Sequence, residues 1–245
     1  MKYKIKIAYD GTSYNGWQIQ NNENTIQYFI EKALSTVFRK KIKIYGAGRT
    51  DAGVHALGQY AHFNANEYDL KKLLHSLNGI LQKDIRILKI DIVDDDFHSR
   101  FSAKSKIYHY HLNTSSYQSP FKRFYSYHTK KDLDLELLKK AAKKFVGCYN
   151  FSSFANKQNQ GSAKNNPIKT IKRLDVIIEK TDIRLEFEGD GFLYKMVRNI
   201  TGTILAVADK TIKLEDVETI LSKKDRTKAP ALAPSHGLFL IDVIY

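Results

Sequence analysis

The spacing of the apolar residues changes along this 245-residue chain in a fixed order, and that order limits the fold more than any other feature. Apolar residues alternate, then repeat at the helical period, alternate in two separate runs, return to the helical period and alternate once more. These periods predict strand, helix, strand, strand, helix and strand. The ranges are 2–9, 26–38, 41–45, 58–64, 69–77 and 85–93. Asn24, with Gln27 three residues later, is the predicted N-cap of the first helix.

The same order returns in the second half of the chain, with one short helix inserted before the last strand. The ranges are 106–113, 134–146, 168–179, 182–188, 191–208, 214–222 (the inserted helix) and 238–244. Each half is therefore predicted to be ferredoxin-like, with the order β-α-β-β-α-β. We predict an α+β fold with two halves, 1–103 and 104–245, whose sheets join into one central, mainly antiparallel sheet with a cleft between them.

The charge of the chain indicates a polyanionic partner. The formal net charge is +14, from 40 Lys and Arg against 26 Asp and Glu. A surface this basic repels itself unless a partner neutralises it, and nucleic acid is the usual partner. The alternative is a lysine-rich composition that only solvates the surface. Residues 104–245 carry most of the excess, so we expect them to contact more of the nucleic-acid backbone.

Other features of the composition narrow the setting of the protein. Cys148 is the single cysteine, which excludes a disulfide framework and a cysteine-based metal site. Since about twenty consecutive apolar residues are needed to span a bilayer, and the chain has no such run, we expect no membrane association. The chain begins directly with the first predicted strand, so we expect no signal peptide and a cytoplasmic location.

A glycine-rich segment, residues 46–56, lies between two predicted strands and holds one acid, Asp51. Its three glycines, at 46, 48 and 53, allow unusual backbone angles and close approach by a ligand. The segment is neither a Walker loop nor a dinucleotide fingerprint, because an acid stands where the third glycine of the fingerprint belongs. It is either a hairpin whose Asp51 caps its own turn, or a platform that presents a carboxylate for attack on carbon.

Residues 48–55, Gly-Arg-Thr-Asp-Ala-Gly-Val-His, resemble the active-site motif of the tRNA pseudouridine synthase A family. Further motifs match that family in the same order: Tyr9-Asp10-Gly11, Gly16-Trp17-Gln18, Phe97-His98-Ser99-Arg100-Phe101 and Met196-Val197-Arg198-Asn199. The resemblance implies an isomerase that needs no cofactor and converts uridine to pseudouridine at positions 38, 39 and 40 of the tRNA anticodon stem-loop. It also implies base flipping, tRNA as partner and a homodimer.

The resemblance assigns roles to three residues. Asp51 becomes the nucleophile or base, acting either by addition to the anomeric carbon or by removal of a sugar proton. Arg198 becomes its bidentate partner and a link between the halves, where the sequence alone equally allows a solvated helix arginine. Tyr108 becomes the residue that stacks on the flipped base. The sequence alone places Tyr108 and Tyr110 on one strand face, which is either packing or functional.

The resemblance also indicates which residues contact RNA. By this resemblance, Arg49 and Arg100 are expected to reach phosphates, and the aromatic side chains of Phe97–Phe101 are expected to enter the stem. A polar loop, 156–166, resembles another tRNA-contacting segment of the family. The predicted RNA-binding residues are Arg49, Phe97, His98, Ser99, Arg100, Phe101, Lys157 and Gln158.

Two other functions compete with isomerisation. A non-catalytic protein could bind RNA on two ferredoxin-like platforms, although the chain lacks the aromatic motif that such platforms usually carry. A metal-dependent nuclease could use Asp94–Asp96, which we interpret instead as a solvated turn. His109 and His111 alternate on a strand without a third ligand, so we expect no metal site there.

Overall fold

A computed structural model describes residues 1–20, 24–156 and 166–245 of the chain. These residues form two compact units. The first unit contains Met1–Lys104 and Phe239–Tyr245, and the second contains Ser105–Leu238. The units differ from the predicted halves 1–103 and 104–245 mainly in the last seven residues, which group with the first unit.

The first unit has the predicted β-α-β-β-α-β order, followed by the C-terminal strand. Its elements are β1 (Lys2–Tyr9), α1 (Ile26–Phe38), β2 (Tyr45–Gly46), β3 (His55–Asn64), α2 (Leu70–Ile80), β4 (Ile85–Val93) and β10 (Leu238–Ile244). Strand β1 lies between β4 and β3 and is antiparallel to both. Two strands pair with the other edge of β3. Strand β2 is antiparallel and pairs with residues 61–62, and β10 is parallel and pairs with residues 55–56.

Alternation along β1 divides the two faces of this sheet. Tyr3, Ile5 and Ile7 are fully buried, whereas the lysines between them are partly exposed. The buried face packs against the apolar sides of the helices, where Ile30 and Leu73 are also fully buried. Burial of side chains this large is the main source of stability for such a layer.

Two local predictions for the first unit were wrong. Thr25, not Asn24, is the N-cap of α1, and the Asn24 side chain donates instead to the Ser13 carbonyl at 2.7 Å. The strand predicted at 41–45 is only two residues long. Backbone groups of Ile42 and Ile44 bond to α1 side chains instead of a neighbouring strand, as in the Ile44 amide donating to Glu31 at 3.0 Å.

The second unit also contains a mainly antiparallel sheet with helices. Its elements are β5 (Ser105–Asn113), β6 (Tyr127–His128), α3 (Leu135–Lys143), β7 (Gly147–Asn150), β8 (Ile168–Glu179), β9 (Asp182–Gly189), α4 (Met196–Ala208) and α5 (Asp216–Lys223), with short 3-10 turns at Ser152–Phe154, Arg226–Lys228 and Ser235–Gly237. The strand order is β5-β9-β8-β7, and each of these pairs is antiparallel. Strand β6 adds a short parallel pair to β5.

Helix boundaries in the second unit reflect local backbone chemistry. The helix predicted at 191–208 begins only at Met196, because Lys195 before it is left-handed, with φ of 62°. Helix α3 begins after Asp134, whose carboxylate accepts from the amides of Glu136 and Leu137. It ends at Lys143, before Gly147 with φ of 134°. The predicted α+β class with mainly antiparallel sheets is confirmed.

No helix in the part of the chain that the structure describes combines the length and the apolar character needed to cross a bilayer.

Candidate active site and RNA-contact segment

The loop that carries Asp51 joins β2 to β3 and is fixed by backbone bonds to the segment after β1. The Trp17 amide donates to the Thr50 carbonyl at 3.1 Å, and the Gly53 amide donates to the Tyr14 carbonyl at 3.4 Å. Within the loop, the Val54 amide donates to the Asp51 carbonyl at 3.1 Å. Bonds on both sides of Asp51 therefore hold its backbone in place.

Glycine is required where the two segments meet. Gly16 has φ of +87°, and a Cβ built on it would lie 2.5 Å from the Thr50 carbonyl oxygen. A Cβ on Gly11 would lie 2.0 Å from the carbonyl oxygen of Val54. Real side chains do not approach backbone atoms this closely. Gly11 and Gly16 thus allow the segment after β1 to pack against the Asp51 loop. Their spacing in the sequence does not indicate this role.

Buried side chains fix the loop a second time. The hydroxyls of Tyr9 and Thr50 lie 2.8 Å apart, and the Gln59 amide donates to the Gly48 carbonyl at 2.9 Å. Tyr9, Thr50 and Gln59 are all buried. Burial raises the pKa of the Tyr9 hydroxyl, so this group stays neutral and keeps its hydrogen bond.

The two predicted site residues of the loop, Asp51 and Arg49, are more exposed than these buried supporting residues. Asp51 is half-buried and Arg49 is exposed. A half-buried carboxylate on a loop fixed in this way is accessible and has a defined backbone position, which would suit either a nucleophile or a base.

His55 ends the loop and begins β3. Its ring is buried and stacks on Phe239 of β10, with ring centroids 4.5 Å apart. Its Nδ1 lies 3.1 Å from the Gly11 amide nitrogen and 3.1 Å from the Asp10 carboxylate. His55 therefore links three parts of the first unit: the segment after β1, the Asp51 loop and the C-terminal strand.

Arg198 lies in the first turns of α4 and is half-buried. Its Nε donates to the Ala233 carbonyl at 2.8 Å, and the Ala233 amide donates to the Arg198 carbonyl at 3.0 Å. The chain can pass this close to α4 because residue 202 is glycine, where an added Cβ would lie 2.0 Å from the Ala231 oxygen. The Nε bond therefore restricts the orientation of the guanidinium of this half-buried residue, which is not fully solvated.

Tyr108 lies on the buried face of β5, together with Tyr110 and Leu112. It is 7% exposed and meets Phe192 edge to face, with centroids 5.2 Å apart. The opposite face carries His109, whose Nε2 lies 3.8 Å from a Glu186 oxygen. Core packing therefore accounts for most of the Tyr108 surface.

The segment Phe97–Phe101 follows β4 and has one buried anchor. Ser99 is fully buried: its amide donates to His62 Nδ1 at 3.1 Å, and its carbonyl accepts from the Tyr245 hydroxyl at 2.7 Å. Arg100 and Phe101 are exposed, the latter by 76%. Among the predicted RNA-binding residues of this segment, Ser99 thus positions the segment while its neighbours Arg100 and Phe101 face solvent.

A cluster of aromatic and cationic side chains beside this segment was missed by sequence reasoning. The Lys4 ammonium lies 5.9, 5.6 and 5.4 Å from the ring centroids of Tyr60, Phe97 and Tyr245. These residues lie far apart in the chain, so no local pattern marks them. The one sequence feature that could have indicated this cluster is the alternation of strands β1 and β3, which places Lys4 and Tyr60 on the outward face.

His62, which contacts the buried anchor Ser99, has a strongly shifted pKa. Burial, with the neighbouring His98 and Lys2 adding positive charge, lowers the pKa of His62 to about 4. The ring is therefore neutral at neutral pH, which suits its role as acceptor from the Ser99 amide.

The contacts described above do not involve the other residues considered from the sequence. Lys157 and Gln158 lie outside the described residues. Asp94–Asp96 form an exposed turn, closed by the Phe97 amide donating to the Asp94 carbonyl at 3.1 Å, as predicted. Among the described ranges, no group of three or more His, Cys, Asp and Glu residues is arranged to hold a metal ion.

Comparison with known proteins matches nearly the whole chain. The family model described as tRNA pseudouridine synthase matches residues 5–102 and 141–245. A tRNA pseudouridine synthase A 1 of Protochlamydia amoebophila is 50% identical, covering 99% of this chain and 96% of that protein. The tRNA pseudouridine synthase A of a Thermoanaerobacter species is 43% identical over 98% of both chains. That of Chlamydia felis is 41% identical, covering 98% of this chain and 90% of its own.

Proposed function

The chain belongs to the tRNA pseudouridine synthase family and is an isomerase of tRNA uridine, and on this basis we propose that it acts in the anticodon stem-loop, at positions 38, 39 and 40, with Asp51 as the catalytic carboxylate. The observation that carries this proposal is the doubly fixed loop around a half-buried Asp51. Within the residues of the Gly48–His55 motif, Asp51 is the single acid.

The isomerisation is balanced within the substrate. The bond from uracil N1 to the anomeric carbon breaks, the base turns, and C5 forms the new bond to the same carbon. The proton lost from C5 is matched by the proton gained at N1, so no oxidant or group donor is consumed. A carboxylate beside the sugar serves this reaction either by adding to the anomeric carbon or by removing a sugar proton.

Arg198 is proposed to orient that carboxylate or the substrate. Support comes from the motif Met196–Asn199 and from the bond between Arg198 Nε and the Ala233 carbonyl, which restricts the orientation of the guanidinium. A planar guanidinium can bind a carboxylate through two parallel hydrogen bonds, whereas a lysine ammonium cannot. The bidentate pairing with Asp51 is part of the proposal.

Tyr108 is proposed to stack on the flipped uracil. Its edge-to-face contact with Phe192 holds the ring in one orientation. A fixed aromatic ring loses little entropy when a base stacks on it, and the gain of ~1–3 kcal/mol offsets part of the cost of extruding the base.

The proposed RNA contacts outside the reacting centre are Arg49 and the exposed side chains near Arg100. Arg49 is exposed two residues before Asp51, and the Arg100 guanidinium lies 5.6 Å from the Phe101 ring centroid. Cations of this kind bind phosphates without regard to sequence. Affinity for tRNA should therefore fall steadily with salt, with each neutralised phosphate adding ~0.7–0.9 to the log–log slope.

We also propose a cytoplasmic homodimer in which one tRNA contacts both subunits. The physical reason is reach, because an L-shaped tRNA extends well beyond one chain of 245 residues. A specific interface of this kind should be isologous and bury more than ~1,000 Å². Light scattering with and without tRNA tests it, and a monomer that is fully active on whole tRNA would refute it.

The central test is pseudouridine mapping on unmodified tRNA incubated with the purified protein, with and without EDTA. We expect pseudouridine at positions 38–40 in both conditions. Pseudouridine at other tRNA positions would support the isomerase activity but refute the proposed target positions 38–40. Binding without product would favour the non-catalytic RNA-binding protein, and cleavage that stops in EDTA would favour a nuclease.

A further inference from the structure

We propose that residues Tyr117–Tyr125 of the second unit, here named the aromatic loop, form a separate RNA-contact surface on which unpaired bases of the tRNA stack. This inference rests on the proposed function, since it takes tRNA as the ligand. The loop follows β5 and precedes β6. None of the family motifs that indicated the active site includes it.

The first observation is the exposure of two large rings. Tyr117 is 88% exposed and Phe121 is 85% exposed, the highest values among the large hydrophobic residues of the described chain. An aromatic side chain can bury 150–250 Å² on contact, so leaving two of them in water forgoes a large stabilisation. Two large rings exposed within five residues of one loop are typical of a surface that binds a partner.

The second observation is that the loop is built rather than loose. Gln118 donates to the Ser126 carbonyl at 3.0 Å across the base of the loop. The Lys122 amide donates to Ser119 at 3.0 Å and the Tyr125 amide donates to Lys122 at 2.9 Å, closing successive turns. These bonds give the loop a defined backbone, which lowers the entropy cost of ordering the loop on a ligand.

The third observation is the charge around the rings. The Arg123 guanidinium lies 4.2 Å from the Phe124 ring centroid, a cation–π contact that leaves the cation at the surface. The stretch 114–131 contains Lys122, Arg123, Lys130 and Lys131 and no acidic residue. Two of these lysines are paired with acids from elsewhere, Asp182 and Asp209. Arg123 and the exposed Lys130 are the cations best suited to phosphates.

These observations favour RNA over a second copy of the chain. Aromatic rings interleaved with cations are the arrangement that binds unpaired nucleotides, because bases stack on rings while phosphates meet the cations. In an isologous contact the same surface meets itself. A loop with cations and no acid of its own would then face like charge, which opposes association.

The test compares tRNA affinity of Tyr117→Ser/Phe121→Ser with that of two controls. Tyr117→Phe/Phe121→Tyr keeps both rings, and Leu88→Ser removes an exposed apolar side chain on β4. We expect the double Ser variant to bind tRNA at least about tenfold more weakly, while its turnover at saturating tRNA is unchanged. Both controls should bind as wild type.

Two further readouts keep the inference separate from the proposed function. In Tyr117→Trp, stacking should quench the new tryptophan when tRNA is added, against a background from buried Trp17. Wild-type pseudouridine formation, measured in parallel, tests the proposed function on its own. Unchanged affinity in the double Ser variant, no quenching, or a fall in its solution mass from dimer to monomer would each overturn the RNA-contact role.

Discussion

His55 Nδ1 and Asp10 Oδ1 lie 3.1 Å apart at the end of the loop that carries Asp51. The same nitrogen lies 3.1 Å from the Gly11 amide, which donates to it. A single ring nitrogen cannot accept from Gly11 and donate to Asp10 at the same time. The Asp10 oxygen already accepts from the Thr12 amide at 2.9 Å and from the Thr12 hydroxyl at 2.6 Å. The geometry therefore assigns the stabilising role to the bond from Gly11.

Substituting His55 or Asp10 distinguishes the hydrogen bond from Gly11 from the contact between His55 and Asp10. His55→Phe keeps a ring against Phe239 but leaves the Gly11 amide without an acceptor, so we expect a loss of ~1–3 kcal/mol in unfolding free energy. Asp10→Asn keeps the oxygen that Thr12 needs and should change stability by less than ~0.5 kcal/mol. Urea denaturation of both variants measures this. Equal losses would show that the ion pair dominates.

Asp51→Asn should abolish pseudouridine formation while tRNA affinity stays close to wild type. The carboxylate is needed for bond breaking, whereas binding energy comes from many cationic contacts elsewhere. Because both ends of the loop are fixed by other residues, we expect the loop to keep its position in this variant. Single-turnover assays and filter binding measure the two effects. Activity above about one per cent of wild type would contradict the role of Asp51.

Arg198→Lys should lower turnover by at least about a hundredfold, because lysine has neither the planar fork nor the Nε that donates to Ala233. The lost hydrogen bond should cost only about 1 kcal/mol in stability. Arg226→Lys is the matched control, since Arg226 also donates to nearby carbonyls, those of Ala229 and Pro230. It should be destabilised similarly yet keep its turnover. Equal losses of activity in the two variants would show that Arg198 acts only through its contribution to stability.

Gly16→Ala should displace the Asp51 loop. Its φ of +87° and the 2.5 Å approach to the Thr50 oxygen leave no room for a methyl group. We expect a loss of more than ~1 kcal/mol in stability and a fall in turnover. Gly79→Ala in α2 is the control, because nothing lies within 4 Å of the position that its Cβ would take. That variant should gain ~0.5–1 kcal/mol. Calorimetry compares them, and equal stability of the two would be inconsistent with this close packing.

Stability should fall as the pH drops from about 6.5 to about 4. Burial lowers the pKa of His62 to about 4, so between these values the unfolded state binds a proton that the folded state does not. The stabilisation is complete above pH 6.5 and lost as the pH falls to 4. His62→Asn should reduce the slope by up to ~1.4 kcal/mol per pH unit. His75→Asn, at an exposed position on α2, is the control. An unchanged slope in the His62 variant would argue against this account.

The family of the chain and the order of its longer strands and helices were predictable from the sequence, whereas the short strands β6 and β7 were not predicted. Alternation such as that of 2–9 and the helical period of 26–38 reflect one-sided burial, which is a local and periodic property. The motif Gly48–His55 likewise stands in consecutive residues, so its chemistry could be interpreted without coordinates.

Tertiary structure was needed to learn which residues support that motif and where the chain end belongs. Strand β10 was predicted from its own alternation, but its parallel pairing with β3 depends on the free edge beyond β2. The packing of Gly16 against Thr50 and the contact of Lys4 with Tyr245 join residues far apart in the chain. Such contacts depend on how distant segments pack against each other, so they cannot be predicted from the spacing of residues along the chain. Local patterns in the sequence thus specify the elements and the chemistry, whereas the support of the site arises only when the segments pack in three dimensions.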